Sequence, residues 1–489
     1  MLLFIQNNLR LVLFSSVAAG LAFMLLLALL GQVPLTYNFR NLVVRWRTTL
    51  MTALAFTLVI GLMTFMLAFV NGMYQLTVQS GQPGNVIVLS DGATDETFSN
   101  LNFTDSTDID RQPGVIRFER GGDEIPLSSK EVYIIVNQQI PTAPGEKTRR
   151  RFVQVRGIED PEIAGRIHGL DLTADSKWFD ATKGVATVDG KTAIQAVLGS
   201  GLAADMGGDR PGKKPLQVGE TFDLGDRLWV VAGVLNSSGS TFDSEVWAKR
   251  TLVGPIFGKE NVSTIVLRSG EKIELRDGQI VEGELVSETS AAVILDDNGK
   301  ALRILKKQIQ TRQTASDGAQ KLATSLKEFK GAALNAMPES EYFAKLAENS
   351  KTFLYAAVFV AGIMAIGGGC GVMNTMFAAI SQRKKDIGVL RIVGFRRRHV
   401  LMSFLLESLC IALVGGLLGC AVGMLADGAT AKSVVSAGQG GSSKFVVLKL
   451  AVSPEILSGG LLLSLLMGGI GGFVPAISAM LVRPLESLR

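Results

Sequence analysis

Five stretches, about 11 to 31, 49 to 72, 353 to 380, 401 to 426 and 455 to 481, are long and apolar enough to cross a lipid bilayer. A spanning helix needs about 20 apolar residues, because each adds about 1.5 Å against a hydrocarbon core of about 30 Å. Runs of this length with hardly a charge are not the core helices of a soluble domain. Of 489 residues 47% are hydrophobic and 19% charged, so the charge must be concentrated outside these runs. The first run also resembles a signal peptide. However, only Arg10 precedes its apolar core, the core is too long, and Leu29, Leu30 and Gly31 give no Ala-x-Ala site, so an uncleaved span is expected.

Between the third and fourth runs, MNTMFAAISQRKKDIGVLRIVGFRRRHV (373 to 400) carries seven Lys or Arg and one acid, Asp386. Burying seven cations at a helix centre would cost roughly 20 kcal/mol. The segment is therefore an aqueous loop, and short basic loops stay on the cytoplasmic side. Counting from it places 73 to 352 outside and the loop with Arg40, Arg45 and Arg47 inside. The loop at 427 to 452 then lies outside with Lys432, Lys444 and Lys449, the N-terminus falls outside, and Arg483 and Arg489 end inside. The net charge of +5 reads as topology, because no basic stripe with interleaved aromatics suits nucleic acid. In TYNFRNLVVRWRTTL (36 to 50), Phe39, Leu42, Val43 and Trp46 recur at helical spacing. This predicts an interfacial helix with Trp46 as anchor and Arg40, Arg45 and Arg47 for membrane lipid phosphates.

The outer segment alternates like strands in EVYIIV, RFVQVRGI, RLWVVAGVL and STIVLRS, while GKTAIQAVLGSGLAADMG (190 to 207) reads as a helix closed by glycines. Residues 271 to 311, with Asp277-Gly278 and Asn298-Gly299 turns between alternating runs, predict hairpins of a small SH3-like or Sm-like insertion. From Pro338 no Pro or Gly interrupts the chain until Gly362, so a continuous helix of roughly 60 Å is expected over about 339 to 380. The fold class expected is an α-helical polytopic membrane protein of about five spans. It carries a large mixed α/β extracytoplasmic domain with a small β-rich insertion.

No catalytic or metal constellation is visible. GGDRPGKK (207 to 214) nearly matches a phosphate-binding loop, but Lys214 stands where a magnesium-holding hydroxyl is needed. LSGG (457 to 460) lies inside an apolar run, and the acids of FTDSTDID (103 to 110) lack the Gly and terminal Glu of a calcium loop. The two histidines, His168 and His399, fall on opposite sides, and Cys370, Cys410 and Cys420 lie in spans. Gly415, Gly419 and Gly423 repeat at four-residue spacing, as do Gly468 and Gly472. Such faces pack closely against other spans or a second subunit, and both alternatives stand. Glu407, two turns into a span, could face another helix, a polar path or headgroups. Otherwise the spans are expected to lack paired ionisable residues.

GVMNTMFAAISQRKKDIGVLRIVGFRRRHVLMSFLLESLCIALVGGLLG resembles the signature region of the FtsX-like/MacB-type ABC transporter permeases. RNLVVRWRTTLMTALAFTLVIGLM and PAISAMLVRPLESLR resemble that family's first and last permease segments. VRGIEDPEIAG, LGSGLAADMG and LQVGETFDLGDRLWVVAGVLNSSGSTFDSEVW resemble its periplasmic core domain. Gln382 and Asp386 stand where the family usually has Glu, the first span is additional to the usual four, and 271 to 311 has no recognised counterpart.

After the additional helix at 1–34, which departs from the family pattern, the resemblance implies an interfacial and a spanning helix at 35–76, a periplasmic core domain at 77–350 and a three-span permease domain at 351–489. It implies a multi-pass protein of the bacterial inner membrane that pairs with a second permease subunit, as a homo- or heterodimer. A cytoplasmic ABC ATPase subunit would hold the ATP and Mg, with no cofactor on this chain, and a periplasmic adaptor or outer-membrane partner is left open. By position the ATPase-coupling helix is Ser381 to His399, with Arg383, Lys384, Asp386, Ile387, Gly388, Leu390, Arg391 and Gly394 as its residues. Export or extraction of a lipid, lipoprotein, peptide or drug follows by mechanotransmission. The alternative is a transmembrane scaffold that switches a periplasmic hydrolase.

Overall fold

A computed structural model describes residues 2–30, 40, 42–102, 106, 108–140, 149–236, 239–297, 300–436 and 443–482. Phe39, the Asn298-Gly299 turn, Arg483 and Arg489 lie outside them, as does part of FTDSTDID. The chain divides into a membrane unit (Met1–Gly72, Ser350–Ala429, Lys449–Arg489) and a mixed unit (Met73–Asn349, Thr430–Leu448).

In chain order the elements begin with α1 (Leu2–Leu30), α2 (Trp46–Val78), β1 (Asn85–Ser90), β2 (Arg117–Arg120), β3 (Asp123–Pro126), β4 (Ser128–Ile140), β5 (Arg149–Ile158) and α3 (Pro161–His168). There follow β6 (Val185–Val188), β7 (Lys191–Leu198), α4 (Ser200–Gly208), β8 (Thr221–Leu224), β9 (Arg227–Val234), β10 (Glu245–Lys249), α5 (Arg250–Phe257) and β11 (Thr264–Arg268). Next come β12 (Glu271–Leu275), β13 (Ile280–Glu288), β14 (Ala292–Asp297), β15 (Lys300–Leu305), β16 (Ile309–Gln313), α6 (Ala315–Lys327) and β17 (Leu334–Pro338). The last are α7 (Glu339–Gln382), α8 (Lys384–Ile392), α9 (Arg397–Met424), β18 (Thr430–Ser436), β19 (Ser443–Lys449) and α10 (Pro454–Met480).

The membrane unit draws on α1, α2, α7, α9 and α10, the helices among the described residues long and apolar enough to cross a membrane. Their packing in this unit depends on glycine. A Cβ at Gly415 would lie 2.7 Å from the Ala53 carbonyl oxygen, one at Gly419 2.8 Å from Ile60 Cβ, and one at Gly423 2.6 Å from Thr64 Cβ. The glycine row therefore seats α2 against α9 within this chain. Gly468 and Gly472 of α10 make similar close approaches to Ala412 and Ser408 of α9. The first run packs here too: Met24 and Leu27 of α1 share a buried cluster with Leu405, Leu409 and Leu465. Arg10 forms an ion pair with Glu455 at the start of α10.

The mixed unit is built on a sheet of order β17-β1-β11-β4-β5-β10-β7-β9-β8, with β6 added beside β7. β5 and β10 pair in parallel, as do β7 and β9. The expected helix over 190 to 207 is instead strand β7, extended Gly199 and the short helix α4. Ala and Gln favoured the helix in sequence, but β7 gains backbone partners on both sides from β9 and β10. Gly199 is required there, since a Cβ would lie 2.5 Å from the Phe242 carbonyl oxygen. Residues 271–313 form a separate antiparallel sheet of order β15-β14-β13-β12-β16 around Ile273, Val293, Leu295 and Ile304. Its first turn uses Gly278 at φ +87°. The segment after α9 also contributes to this unit: β18 and β19 pair, and Val447 N donates to Ser244 Oγ at 2.9 Å.

Candidate coupling site

The basic loop folds as the nine-residue helix α8, set between two apolar helices. Its start is fixed from inside: the Arg383 guanidinium donates from Nη1 and Nη2 to the two Glu407 carboxylate oxygens at 2.8 and 2.9 Å. Both side chains are buried, and Arg383 Cζ lies 5.8 Å from the Phe404 ring centroid. Pairing in the fork geometry is what makes burial of two charges tolerable.

Its end is equally specific. Gly394 adopts φ +114°, a left-handed conformation that favours glycine, and Phe395 N returns to the Leu390 carbonyl at 3.1 Å. Ile387 is fully buried in a cluster with Ile380, Val400, Phe404 and Ala479. α8 thus has a fixed inner side of Arg383, Ile387 and Gly388. Its outer side exposes Lys384, Lys385, Asp386, Val389 and Ile392. Leu390 and Arg391 are half-buried, and Arg391 Nη1 is buried without a hydrogen-bond acceptor among the described residues.

The eight residues expected to meet a partner therefore divide, with Leu390 and Arg391 half-buried between an inner and an outer set. Arg383 and Ile387 tie the helix to its own chain, Gly388 is buried beside them, and Gly394 ends the helix. Lys384 and Asp386 face outward. Glu407 was the residue whose partner the sequence left open, and the Arg383 pair corrects the expectation of no paired ionisable groups at the spans. The signal was present: Glu407 is the one acid between Arg397 and Met424.

The arginines expected to hold lipid also divide. Arg45 donates from Nη1 to the Ala379 carbonyl at 3.1 Å, a contact inside the membrane unit that its spacing did not reveal. Arg40 and Arg47 are exposed, and Arg47 Cζ lies 5.6 Å from the Trp46 ring. Trp46 opens the spanning helix α2 itself and lines an apolar groove of 680 Å³ with Leu42, Leu50, Cys410 and Val414.

An apolar helical unit with a short, internally tied helix between two long apolar helices, on a chain that also carries a large mixed α/β domain, defines a polytopic membrane protein with a large second domain. Residues 49–281 match the MacB-like periplasmic core domain and residues 358–482 the FtsX-like permease C-terminal model. Among relatives, an ABC transporter permease of Bacillus subtilis, YknZ, is 38% identical over 27% of this chain and 30% of its own length. The macrolide export ATP-binding/permease protein MacB of Sodalis glossinidius is 24% identical over 82% of this chain and 55% of its own length. The ABC transporter permease MJ1507 of Methanocaldococcus jannaschii is 26% identical over 56% and 58%. The chain thus spans between about a third and three fifths of the length of these relatives. It belongs to the FtsX-like/MacB-type ABC transporter permeases.

Proposed function

We propose that the chain is the permease subunit of a transporter whose ATP is hydrolysed by a separate cytoplasmic ABC ATPase. The ATPase docks on α8 and drives movement of the periplasmic domain. The observation that carries this reading is the two-sided character of α8. One side is fixed to α9 through Arg383 and Glu407, and the other offers cations, one acid and exposed Val389 and Ile392 to water. Such a helix passes a push to the spans instead of absorbing it. Arg40 and Arg47 would hold the membrane face, and the chain would work as a dimer.

The cargo that suits this arrangement is amphipathic: a lipid, lipoprotein, peptide or hydrophobic drug, taken from the periplasmic side. The relatives named for macrolide export are consistent with such a class. Among the described residues no cluster of His, Cys, Asp and Glu suits a metal ion. Extraction by moving the outer domain needs no ion path.

The test is purification of the full chain from its native membrane. Recovery of a nucleotide-binding subunit in stoichiometric amount supports the reading. Absence of any such subunit, or a Lys385→Cys side chain modified by impermeant maleimide in intact cells of a variant otherwise free of cysteine, overturns it.

A further inference from the structure

Inside the mixed unit six ionisable side chains meet that play no part in the coupling site. Arg156 of β5 is 1% exposed and uses all three nitrogens. Nε donates to Glu245 at 2.8 Å, Nη1 to Glu96 at 2.7 Å and to Glu131, and Nη2 to Glu96 and Glu245 at 3.2 Å each. The guanidinium also lies 4.8, 5.2 and 5.5 Å from the rings of Tyr133, Trp247 and Phe242. On its other oxygen Glu131 meets His168 Nε2 at 2.8 Å, and His168 Nδ1 lies 3.4 Å from Glu339.

Glu339 ends this chain of charges, and it is the first residue of α7. Its Oε2 accepts from Gln82 N at 2.9 Å and from Asn85 Nδ2 at 2.8 Å. Asn85 begins β1 and also binds the Ile167 carbonyl and Arg268. His168 is placed by a short helix closed at both ends: Asp160 caps its start, and Gly169 at φ 62° stops it. The cluster therefore joins β1, β4, β5, β10 and the end of α3 to the first turn of α7.

Tyr342, Phe343 and Leu346, in the first turns of α7, add apolar contacts. Apolar contact is non-directional and tolerates sliding, whereas buried ion pairs with fixed hydrogen bonds set a register. The opposite end of α7 has the same device, since Arg383, held by Glu407, follows its last residue directly.

We propose that this cluster locks the first turn of α7 to the sheet so that helix and sheet move as one body, with Glu339, His168 and Arg156 as positioning residues. The proposal rests on the mechanical reading of the chain. No reacting group is involved; the residues act by holding α7 in one register while its other end is displaced.

Spin labels at Ala344→Cys on α7 and Thr192→Cys on β7, in a full chain otherwise free of cysteine, read the relation directly. In the parent a single narrow distance is expected, unchanged by ATP in the complex with its copurified ATPase. In Glu339→Gln the distance broadens without nucleotide and splits into two populations with ATP, while ATP turnover is retained. Should Glu339→Gln not fold, Asn85→Ala, which leaves the His168 contact in place, gives the smaller broadening. A parent distance that shifts with ATP, or variants that keep the parent's single distance, overturns the proposal. Absence of any copurified ATPase would instead defeat the functional reading, and the nucleotide-free comparison would still decide the anchor.

Discussion

Arg383 and Glu407, 24 residues apart, form a buried pair with both guanidinium Nη atoms on both carboxylate oxygens, 2.8 and 2.9 Å long. The pair makes the start of α8 and the second turn-pair of α9 one piece. It also explains how a glutamate persists in the apolar stretch of α9 that follows Arg397, Arg398 and His399.

Removing one partner leaves the other charge buried and alone. Arg383→Ala and Glu407→Ala should each destabilise the detergent-purified chain by about 3–5 kcal/mol, with the double variant less impaired than the two losses summed. Arg383→Lys should not restore stability, because an ammonium cannot form the fork. Thermal unfolding checks this, and additive losses would count against a direct pair.

The glycine seam predicts a positional contrast. Gly419→Val forces a side chain onto Thr57 and Ile60 of α2 and should cost about 1–3 kcal/mol. Gly369→Ala, where a Cβ meets nothing within 4 Å among the described residues, should be neutral or slightly stabilising. Denaturation of the two variants side by side separates chain-internal packing from a general intolerance of change.

Burial pulls the His168 imidazole down, but the Glu131 and Glu339 carboxylates outweigh it and push it up to about 10. A raised folded value means that the stability from this group is complete below about pH 6.5, the unfolded value, and is lost as pH rises towards 10. Glu131 is held below its ordinary range against burial by His168 and Arg156, so its contribution is lost on the acid side. The melting temperature of the full chain should fall between pH 7 and pH 10, and His168→Gln should flatten that fall. Parallel pH profiles would contradict the assignment.

Lys384 and Lys385 are exposed while Arg383 is buried, so reversal of charge has different consequences at adjacent positions. Lys384→Glu with Lys385→Glu should leave folding unchanged and weaken ATPase retention about tenfold, equivalent to about 1.4 kcal/mol. Titration of the ATPase on immobilised permease measures it, and unchanged retention would remove α8 as the docking surface.

The apolar helices and α7 were legible because length, hydropathy and the absence of Gly or Pro are local properties. Strands β4, β5, β9 and β11 showed through their alternation for the same reason. β7 did not, since its identity comes from pairing with β9 and β10, which overrode a helix-like composition. The Arg156 cluster was invisible because its members run from Glu96 to Glu339 and no segment holds more than one of them. His168 alone gave no hint of its two carboxylates. The glycine rows announced close packing but not the partner, which only the approach of α2 to α9 identifies.

The central claim is that work done by the ATPase at α8 reaches the mixed unit. Hydrogen–deuterium exchange over residues 73–349, in the copurified complex with ATP and vanadate against nucleotide-free complex, tests it most directly. The account predicts altered exchange in segments of the mixed unit, lost in Lys384→Glu with Lys385→Glu. Identical exchange in both states while the ATPase turns over would contradict it.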